Sequence, residues 1–506
     1  GEEVLQIPAE VARSGYAAVA AHLREEGRRP RFILHLRSLT PAGAPAPDGT
    51  AALERGFTDL TALTRALAGN GFGVGTTVVA VSNGVQRVTG GEDLYPVKAT
   101  LLGWVRAAAS SGPRCRSLDV ALPAPGSAQA ACLARLADHV LAEVRAEGSA
   151  PADPIVAWRG DDRWVPALEP APLAAPARSA AWLRPGGSYL LTGGLEGLAF
   201  DLARRLAAAT PLRLAFVSAP LPGDTAEVVE RRRALAELGA EVLELEAAPG
   251  DREPMAAALA RAEAAWGPFS GAFYLPGTGG AAEWMNGALG LDAFFGASRP
   301  LDFLALFSWL EPPPPARVHA EVWAGSALLD ALAEERATRG AATVAVDWAP
   351  GVSFESEAAW TALDRILAHP TLPRIAVALA PLALSSTDSG AAPDGEPTGA
   401  RPDLAVEYVA PDEPLGLRIA AIWQEVLGVA RVGLHDRFFD LGGDSLVALQ
   451  VMARLRDAFP VEMPVKALFE HPTVAGLRDV LEEALTARLE ELPEAEAQRL
   501  IESFLG

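Results

Sequence analysis

The chain has 506 residues, half of them hydrophobic, and its formal net charge of −21 argues against nucleic acid or an anionic membrane surface as its partner. This length predicts about two to four folded domains with hydrophobic cores of their own. The two cysteines, Cys115 and Cys132, provide neither a disulfide framework nor a metal-ligand set, and no apolar run is long enough to span a membrane, so we expect a cytoplasmic protein without a metal site.

Strand-like and helix-like segments alternate through the first part of the chain. The candidate strands are 31–36, 76–82 and 114–122, and the candidate helices are 50–68, 97–111 and 128–147. This alternation is typical of an α/β fold. We therefore predict a first Rossmann-like unit over residues 1–185, which ends in a connector rich in alanine and proline.

The same alternation recurs over residues 186–385. The candidate strands there are 188–194, 212–218, 240–246, 271–277, 302–308 and 342–348. The sequence therefore predicts two α/β units in tandem. The stretch that follows, 386–405, is rich in serine, glycine, aspartate and proline, and is predicted to be a linker.

Residues 406–486 have helical periodicity and no candidate strand. The candidate helices are 413–428, 445–459 and 472–485, and one apolar stripe is formed by Leu446, Leu449, Met452, Leu455 and Phe459. We predict an all-α four-helix bundle here, followed by a helical tail at 487–506.

Only two of the 43 basic residues are lysines, Lys98 and Lys466. The codon bias of a GC-rich bacterial genome would explain this preference for arginine. Any mechanism that needs a lysine is restricted to these two positions.

The stretch FFDLGGDSLVALQ, residues 438–450, sets Ser445 behind an aspartate and a pair of glycines. A hydrolase nucleophile requires the pattern G-x-S-x-G, but Val447 stands where the second glycine would fall. Serine is also a preferred N-cap residue before an apolar helix. The residues alone therefore leave a helix cap as the simplest interpretation.

The pattern DRFFDLGGDSLVALQVMARL, followed by VEMPVKALFEHPTVAGL, resembles the carrier domains of polyketide synthases and nonribosomal peptide synthetases. This resemblance implies that Ser445 receives a covalent 4′-phosphopantetheine arm, with Gly443, Asp444 and Leu446 forming the recognition loop around it. A phosphodiester at a helix N-terminus meets unpaired N–H groups and the positive end of the helix dipole. The resemblance also implies a phosphopantetheinyl transferase, ketosynthase and acyltransferase domains as partners, with a methyltransferase domain as a further candidate.

The stretch SYLLTGGLEGLAFDLARRLA, residues 188–207, places a glycine loop between a strand and a helix, which is the context of a dinucleotide site. Residues 186–385 resemble the ketoreductase domains of modular polyketide synthases, members of the short-chain dehydrogenase family. VSNGVQRVTGGEDLYPVKATLLG, residues 81–103, resembles their structural subdomain. The resemblance implies an NADPH-dependent reduction of a β-ketoacyl thioester.

The family's catalytic groups are missing from the matching positions. Its serine, tyrosine and asparagine positions fall on Trp309, Val322 and Ser326, and the helix that should bring the lysine, 279–299, contains none. We therefore expect no intact catalytic residue and predict a pseudo-ketoreductase with a structural role.

The glycine loop departs from the family pattern T-G-G-x-G-G-L-G as well. It reads Thr192, Gly193, Gly194, Leu195, Glu196, Gly197, Leu198 and Ala199. Glu196 would place a negative charge near the pyrophosphate, Ala199 adds a methyl group where helix and strand pack, and 218–224 offers no arginine to a 2′-phosphate. A charge conflict of this kind weakens a ligand by about 100-fold or more, so we expect NADPH binding to be weak at best.

Two alternatives remain open. The first is an active NADPH-dependent β-ketoacyl-carrier reductase whose catalytic groups have been relocated. The second is an interaction module in which Ser445 is only a helix cap. Hydride transfer to a model thioester decides the first, and phosphopantetheine attachment decides the second.

Overall fold

The computed structural model describes most of the chain before residue 379 and separate stretches after it. The described residues are 13–41, 44–45, 47–73, 75–107, 113–123, 126, 129–145, 153–218, 225–248, 250–277, 279–296, 298–310, 319–349, 352–369, 372–378, 406, 408–411, 413–427, 429, 431–438, 441, 451–452, 455, 459, 467–468 and 471–491. The chain divides into two compact units, 1–390 and 391–506, and each is described by itself.

The first half of unit 1 is a five-stranded sheet with helices. Its elements are α1 (Arg13–Glu25), β1 (Phe32–Ser38), α2 (Gly49–Leu53), α3 (Asp59–Gly69), β2 (Thr77–Ser82), α4 (Thr100–Ala107), β3 (Arg114–Val120), α5 (Gln129–Arg145), β4 (Ile155–Arg159) and β5 (Asp162–Trp164). A π-helical turn, Glu54–Thr58, joins α2 to α3, and a 3₁₀ turn, Pro96–Ala99, precedes α4. The strand order is β1-β2-β3-β4-β5, with β1 to β4 parallel and β5 antiparallel.

The second half of unit 1 is a seven-stranded parallel sheet. Its elements are β6 (Ser188–Thr192), α6 (Gly197–Ala209), β7 (Arg213–Ser218), α7 (Ala226–Glu237), β8 (Glu241–Glu246), α8 (Arg252–Trp266), β9 (Gly271–Tyr274), α9 (Ala281–Phe294), β10 (Phe303–Trp309), α10 (His319–Thr338), β11 (Thr343–Trp348), α11 (Glu357–Ala368) and β12 (Arg374–Val377). The strand order is β12-β11-β10-β9-β6-β7-β8, so the winding reverses between β6 and β9. In such sheets a crevice opens at this reversal, beyond the carboxyl ends of the strands.

The predicted α/β class and its parallel strands are confirmed. The sequence predicted these strands because they are continuous apolar runs. Strands β6 and β9 are buried along their whole length, which is typical of parallel strands that are covered on both faces. Helix α1 and strands β4, β5 and β12 were not predicted. The three strands are only three to five residues long, and β5 is exposed throughout, so no periodicity could build up in them.

Helix α10 lies between the two halves of unit 1. Its residues from 324 to 333 are all buried, which is unusual for a helix near a sheet surface. On one side it packs against α4, where a Cβ atom on Gly103 would lie 2.1 Å from the backbone nitrogen of Ala324. On another side it packs against α9, where a Cβ atom on Gly325 would lie 2.2 Å from the ring of Trp284. Two glycines therefore permit the close approach of three helices.

Unit 2 contains α12 (Pro414–Leu427) and α13 (Val474–Glu491), with further helical residues at 451–452, 455 and 467–468. Trp423 and Phe438 pack edge to face at its centre, with ring centroids 5.1 Å apart. Helix α13 continues to Glu491, past the predicted start of the tail, and the rest of the tail lies outside the described residues. Across the part of the chain that the structure describes, no helix combines the length and apolar content that a membrane crossing needs.

We predict that Gly103→Ala destabilises unit 1. The added methyl group collides with the α10 backbone, and overpacking of this kind typically costs about 1–3 kcal/mol. The matched control is Gly69→Ala at the end of α3, where a Cβ atom meets nothing within 4 Å. Scanning calorimetry should show a lower unfolding temperature for Gly103→Ala and an unchanged or higher one for Gly69→Ala. Equal effects of the two substitutions would contradict the contact.

Candidate functional site

Thr192 joins the two strands at the reversal of the second sheet. Its hydroxyl donates to the carbonyl oxygen of Leu275 at 3.0 Å and accepts from the backbone N–H of the same residue at 2.8 Å. Thr192 ends β6, and Leu275 follows β9 directly. These two hydrogen bonds fix the start of the glycine loop relative to the residue that follows β9.

The glycine loop is held by contacts within the protein. Gly193 has a φ of +103°, which favours glycine, and a Cβ atom there would contact the methyl group of Ala199 at 3.6 Å. Leu195 is only 1% exposed, and its carbonyl oxygen accepts from Nη1 of Arg231 at 2.9 Å. The loop therefore has an internal apolar anchor and a cation bonded to its backbone.

Glu196 is the N-cap residue of α6. It is exposed and extended, and its side chain makes no capping hydrogen bond. A carboxylate here lies at the positive end of the helix dipole, where a dinucleotide fold places its pyrophosphate. The arrangement opposes a second anion at the same point. Of the 218–224 segment, only Ser218 is described, so the predicted lack of a 2′-phosphate ligand lies outside the described residues.

The three positions that match the family's catalytic groups come together where β10 ends and α10 begins. Trp309 is the last residue of β10, and its backbone N–H donates to Oγ of Ser326 at 3.2 Å. Ser326 is 1% exposed, and Val322 is half-buried against the core. The positions thus supply an indole, an isopropyl group and a hydroxyl that already bonds to the backbone.

Sequence reasoning missed Trp284 on α9. Its ring is buried against Gly325, one residue before Ser326, and its Nε1 donates to the carbonyl oxygen of Gly277 at 3.1 Å. The phenol of Tyr274 donates to the backbone oxygen of Trp284 at 3.1 Å. The signal was available, because Trp284 lies in the helix that was searched for a lysine.

Glu321 closes the same region from α10. Its Oε2 accepts from the backbone N–H of Ala281 at 2.7 Å, at the first residue of α9. A negative charge therefore meets the positive end of α9 and ties α9 to α10. The region where the two helices meet is filled by an indole and closed by a carboxylate.

Lys98 lies in the first half of unit 1, in the turn before α4. Its Nζ donates to the backbone oxygen of Asn83 at 3.1 Å and to Oδ1 of Asn83 at 2.9 Å. Burial lowers its pKa to about 8, against the opposing attraction of Asp119. Lys98 therefore stabilises the loop after β2 through Asn83. The other lysine, Lys466, lies outside the described residues.

The carrier serine, Ser445, lies outside the described residues, as do Gly443, Asp444 and Leu446. The segment that leads to it is described as far as Leu441. The backbone N–H of Phe438 donates to the carbonyl oxygen of Pro472 at 2.7 Å, and Leu441 is buried. On the far side of the serine, Val451 is buried in the same core. The segment with Ser445 is therefore anchored on both sides.

Three residues of the predicted apolar stripe are described, and all of them are buried: Met452, Leu455 and Phe459. Leu446 and Leu449 lie outside the described residues. Within the described ranges, no group of three or more histidine, cysteine, aspartate or glutamate residues could hold a metal ion.

Two family models match the chain. The ketoreductase (KR) domain matches residues 187–284, and the phosphopantetheine attachment site matches residues 418–481. The second match spans Ser445, and this family implies phosphopantetheine as the cofactor. The chain therefore carries a ketoreductase-type domain followed by a phosphopantetheine-binding carrier domain, as in polyketide and nonribosomal peptide synthase modules.

Known proteins are similar to separate parts of the chain. Tyrocidine synthase 3 of Brevibacillus parabrevis is 57% identical over 70 residues, which is 14% of this chain and 1% of that protein. The chain spans only 1–2% of the length of the first such relatives.

Two solved structures share the fold of unit 1. An N-terminal ketoreductase from the macrolactin assembly line has a TM-score of 0.58 at 18% identity, covering 74% of this chain and 80% of that one. A structure with adenylation, ketoreductase and pseudo Asub domains from a keto acid-selecting NRPS module has a TM-score of 0.60 at 16% identity, covering 73% and 34%. At these identities the similarity establishes the fold.

We predict that Thr192→Val destabilises unit 1 by about 1–3 kcal/mol, because the buried N–H and carbonyl groups of Leu275 lose their partner. Thr338→Val is the control, since that hydroxyl bonds to a backbone oxygen on an exposed surface. Denaturant unfolding followed by circular dichroism should separate the two variants. Equal stability of Thr192→Val and the unchanged chain would contradict the bridging role.

Proposed function

We propose that this chain is the reductase-and-carrier portion of a polyketide or mixed polyketide–peptide synthase. In this proposal the carrier domain tethers acyl intermediates on 4′-phosphopantetheine at Ser445. The ketoreductase-like domain performs no reduction and acts as a scaffold. The observation that carries the proposal is the carrier match over 418–481, joined to a reductase fold whose catalytic positions hold Trp309, Val322 and Ser326.

Ser445 is the residue in the carrier domain best suited to the attachment. It is the only serine between residues 406 and 486, and it stands in the motif LGGDSL. In the transfer, its hydroxyl oxygen would form a new bond to the phosphorus of coenzyme A, while adenosine bisphosphate leaves and the hydroxyl proton passes to a base of the transferase. The resulting anion at a helix N-terminus is favoured by the helix dipole.

The proposed lack of reduction rests on proton chemistry. A tyrosine that donates a proton to a developing alkoxide needs a nearby cation to lower its pKa. Tyr274, which bonds to the backbone of Trp284, is the described tyrosine next to α9. Burial raises the pKa of its phenol above the usual range, and the charge of Glu283 raises it further. This shift has the wrong sign for a relocated proton donor.

The scaffold role follows from how α10 is held. In an active reductase the region between α9 and α10 would have to admit a lysine side chain and a substrate. Here Trp284 packs on Gly325, and Glu321 bonds to the first residue of α9. NADPH binding would in addition have to overcome the Glu196 carboxylate at the start of α6. We infer that the nucleotide binds weakly at best.

The partners follow from the proposed tethering. A phosphopantetheinyl transferase would attach the arm, and ketosynthase and acyltransferase domains would use it, with a methyltransferase domain as a further candidate. Relatives include proteins named as tyrocidine and linear gramicidin synthases, and a solved neighbour belongs to a keto acid-selecting NRPS module. These names favour a mixed assembly line over a purely polyketide one.

We predict that coexpression with a promiscuous phosphopantetheinyl transferase increases the intact mass of the chain by one phosphopantetheine arm. Ser445→Ala should abolish the gain because the acceptor oxygen is gone. Ser503→Ala is the matched control, since it removes the nearest following serine and should keep the gain. An unchanged mass of the parent chain, or a gain that survives Ser445→Ala, would exclude tethering at this residue.

We predict that the chain does not oxidise NADPH in the presence of a β-ketoacyl pantetheine thioester. The triple variant Trp309→Ser, Val322→Tyr and Ser326→Asn should stay inactive as well, because α9 contains no lysine and its Trp284 packs on Gly325 beside Ser326. Loss of NADPH absorbance is the measurement, with an active ketoreductase as the reagent control. Turnover by the unchanged chain would establish the relocated-group alternative.

A further inference from the structure

A cleft of about 1190 Å³ lies between the two halves of unit 1, away from the glycine loop. Its walls come from the loop after β2, from α4, α10 and α11, from β12, and from the extended segment 164–173. The volume slightly exceeds the range of about 300–1,000 Å³ that is usual for small-molecule sites, so the cleft has room for a ligand of that size. The reductase resemblance assigns nothing to this place.

Four arginines line the cleft: Arg87, Arg106, Arg365 and Arg374. Arg374 bonds to Asp347 at 3.1 Å and pairs with Asp330 at 2.9 Å. Arg87, Arg106 and Arg365 have no hydrogen bond or ion pair with any other described residue, although the guanidinium of Arg106 lies 5.1 Å from the ring centroid of Trp323. Three guanidinium groups from three separate elements therefore line one space without a direct ion pair, although Arg106 is attracted at longer range by Asp330 and Asp347, and Arg87 by Glu334.

Two buried polar atoms on the same walls also lack partners among the described residues. They are Oδ1 of Asp330, whose residue is 5% exposed, and Nε2 of Gln86. Buried polar groups are almost always hydrogen-bonded, so each such atom needs an explanation. A ligand with hydrogen-bonding groups in this cleft would provide one.

The charge of the cleft differs in sign from that of the molecule. Its acidic lining residues are Glu169, Asp330 and Glu334, so the lining holds one more cation than anions, whereas the chain carries a net charge of −21. Burial raises the pKa of Glu334, which shifts the balance further towards positive charge. The planar fork of arginine matches carboxylate and phosphate groups.

Apolar side chains share the walls with the arginines. They include Val85, Leu102, Leu173, Ala331 and Ile366. A purely inorganic ion would leave this surface unused. We propose that the cleft binds an amphiphilic organic anion, with a phosphate or carboxylate head on the arginines and an apolar chain along the aliphatic wall.

Calorimetric titration of the full chain with octyl phosphate, octanoate and octanol tests the proposal. At least one of the two anions should bind with saturation at one site per chain, and the anion that binds more tightly identifies the head group. Octanol, which has the same chain without the charge, should bind at least about tenfold more weakly. Ser445→Ala should leave the binding unchanged, which separates this cleft from the carrier function.

Arg106→Gln and Arg365→Gln should each weaken the binding of the anion by about tenfold, the usual scale for one charge-assisted contact. Arg365 is exposed, so its variant tests the site even if Arg106→Gln disturbs folding. Arg233→Gln on α7 is the matched control, because it makes the same charge change at a residue whose side chain is 64% exposed and outside the cleft. Absence of saturable binding by both anions, equal binding of octanol, or equal affinities of the three variants would overturn the proposal.

Discussion

The close packing of α10 against two neighbouring helices is the constraint on which unit 1 depends. Gly103 of α4 lets one helix approach its backbone, and Gly325 of α10 itself accepts the ring of Trp284 from α9. Because a Cβ atom at either position would clash with the neighbouring helix, both contacts require glycine, and α10 packs closely against α4 and α9. Helix α10, which contains the predicted positions Val322 and Ser326, is therefore a central structural element of the unit.

This packing is compatible with the proposed scaffold role, in which the reductase fold is kept without reductase chemistry. Trp309 and Val322 pack against the hydrophobic core, and the hydroxyl of Ser326 accepts a hydrogen bond from the backbone N–H of Trp309. Trp284 adds a large buried surface where a lysine would have needed a polar partner. In the proposed function, apolar side chains at these positions take the place of polar catalytic groups.

The sequence predicted the α/β class because buried parallel strands such as β6 and β10 are continuous apolar runs. It located Trp309, Val322 and Ser326 through a resemblance, and the structure brings these positions together. Trp284 was visible in the helix searched for a lysine, but an indole on a helix has no periodic signature that shows which space its ring fills. Nor could the sequence reveal the arginine-lined cleft, because Arg87, Arg106 and Arg365 are far apart in sequence and meet only through tertiary packing.

The most direct test of the account is to measure the mass of the acyl-phosphopantetheine group on the carrier peptide. The chain would be matured with a β-ketoacyl coenzyme A, incubated with NADPH and cleaved after arginine, and the peptide of residues 438–454 would be sequenced by mass spectrometry. The account predicts a β-ketoacyl phosphopantetheine on Ser445 whose keto group is unreduced. An arm on another residue, or an acyl group that has gained two hydrogens, would contradict it.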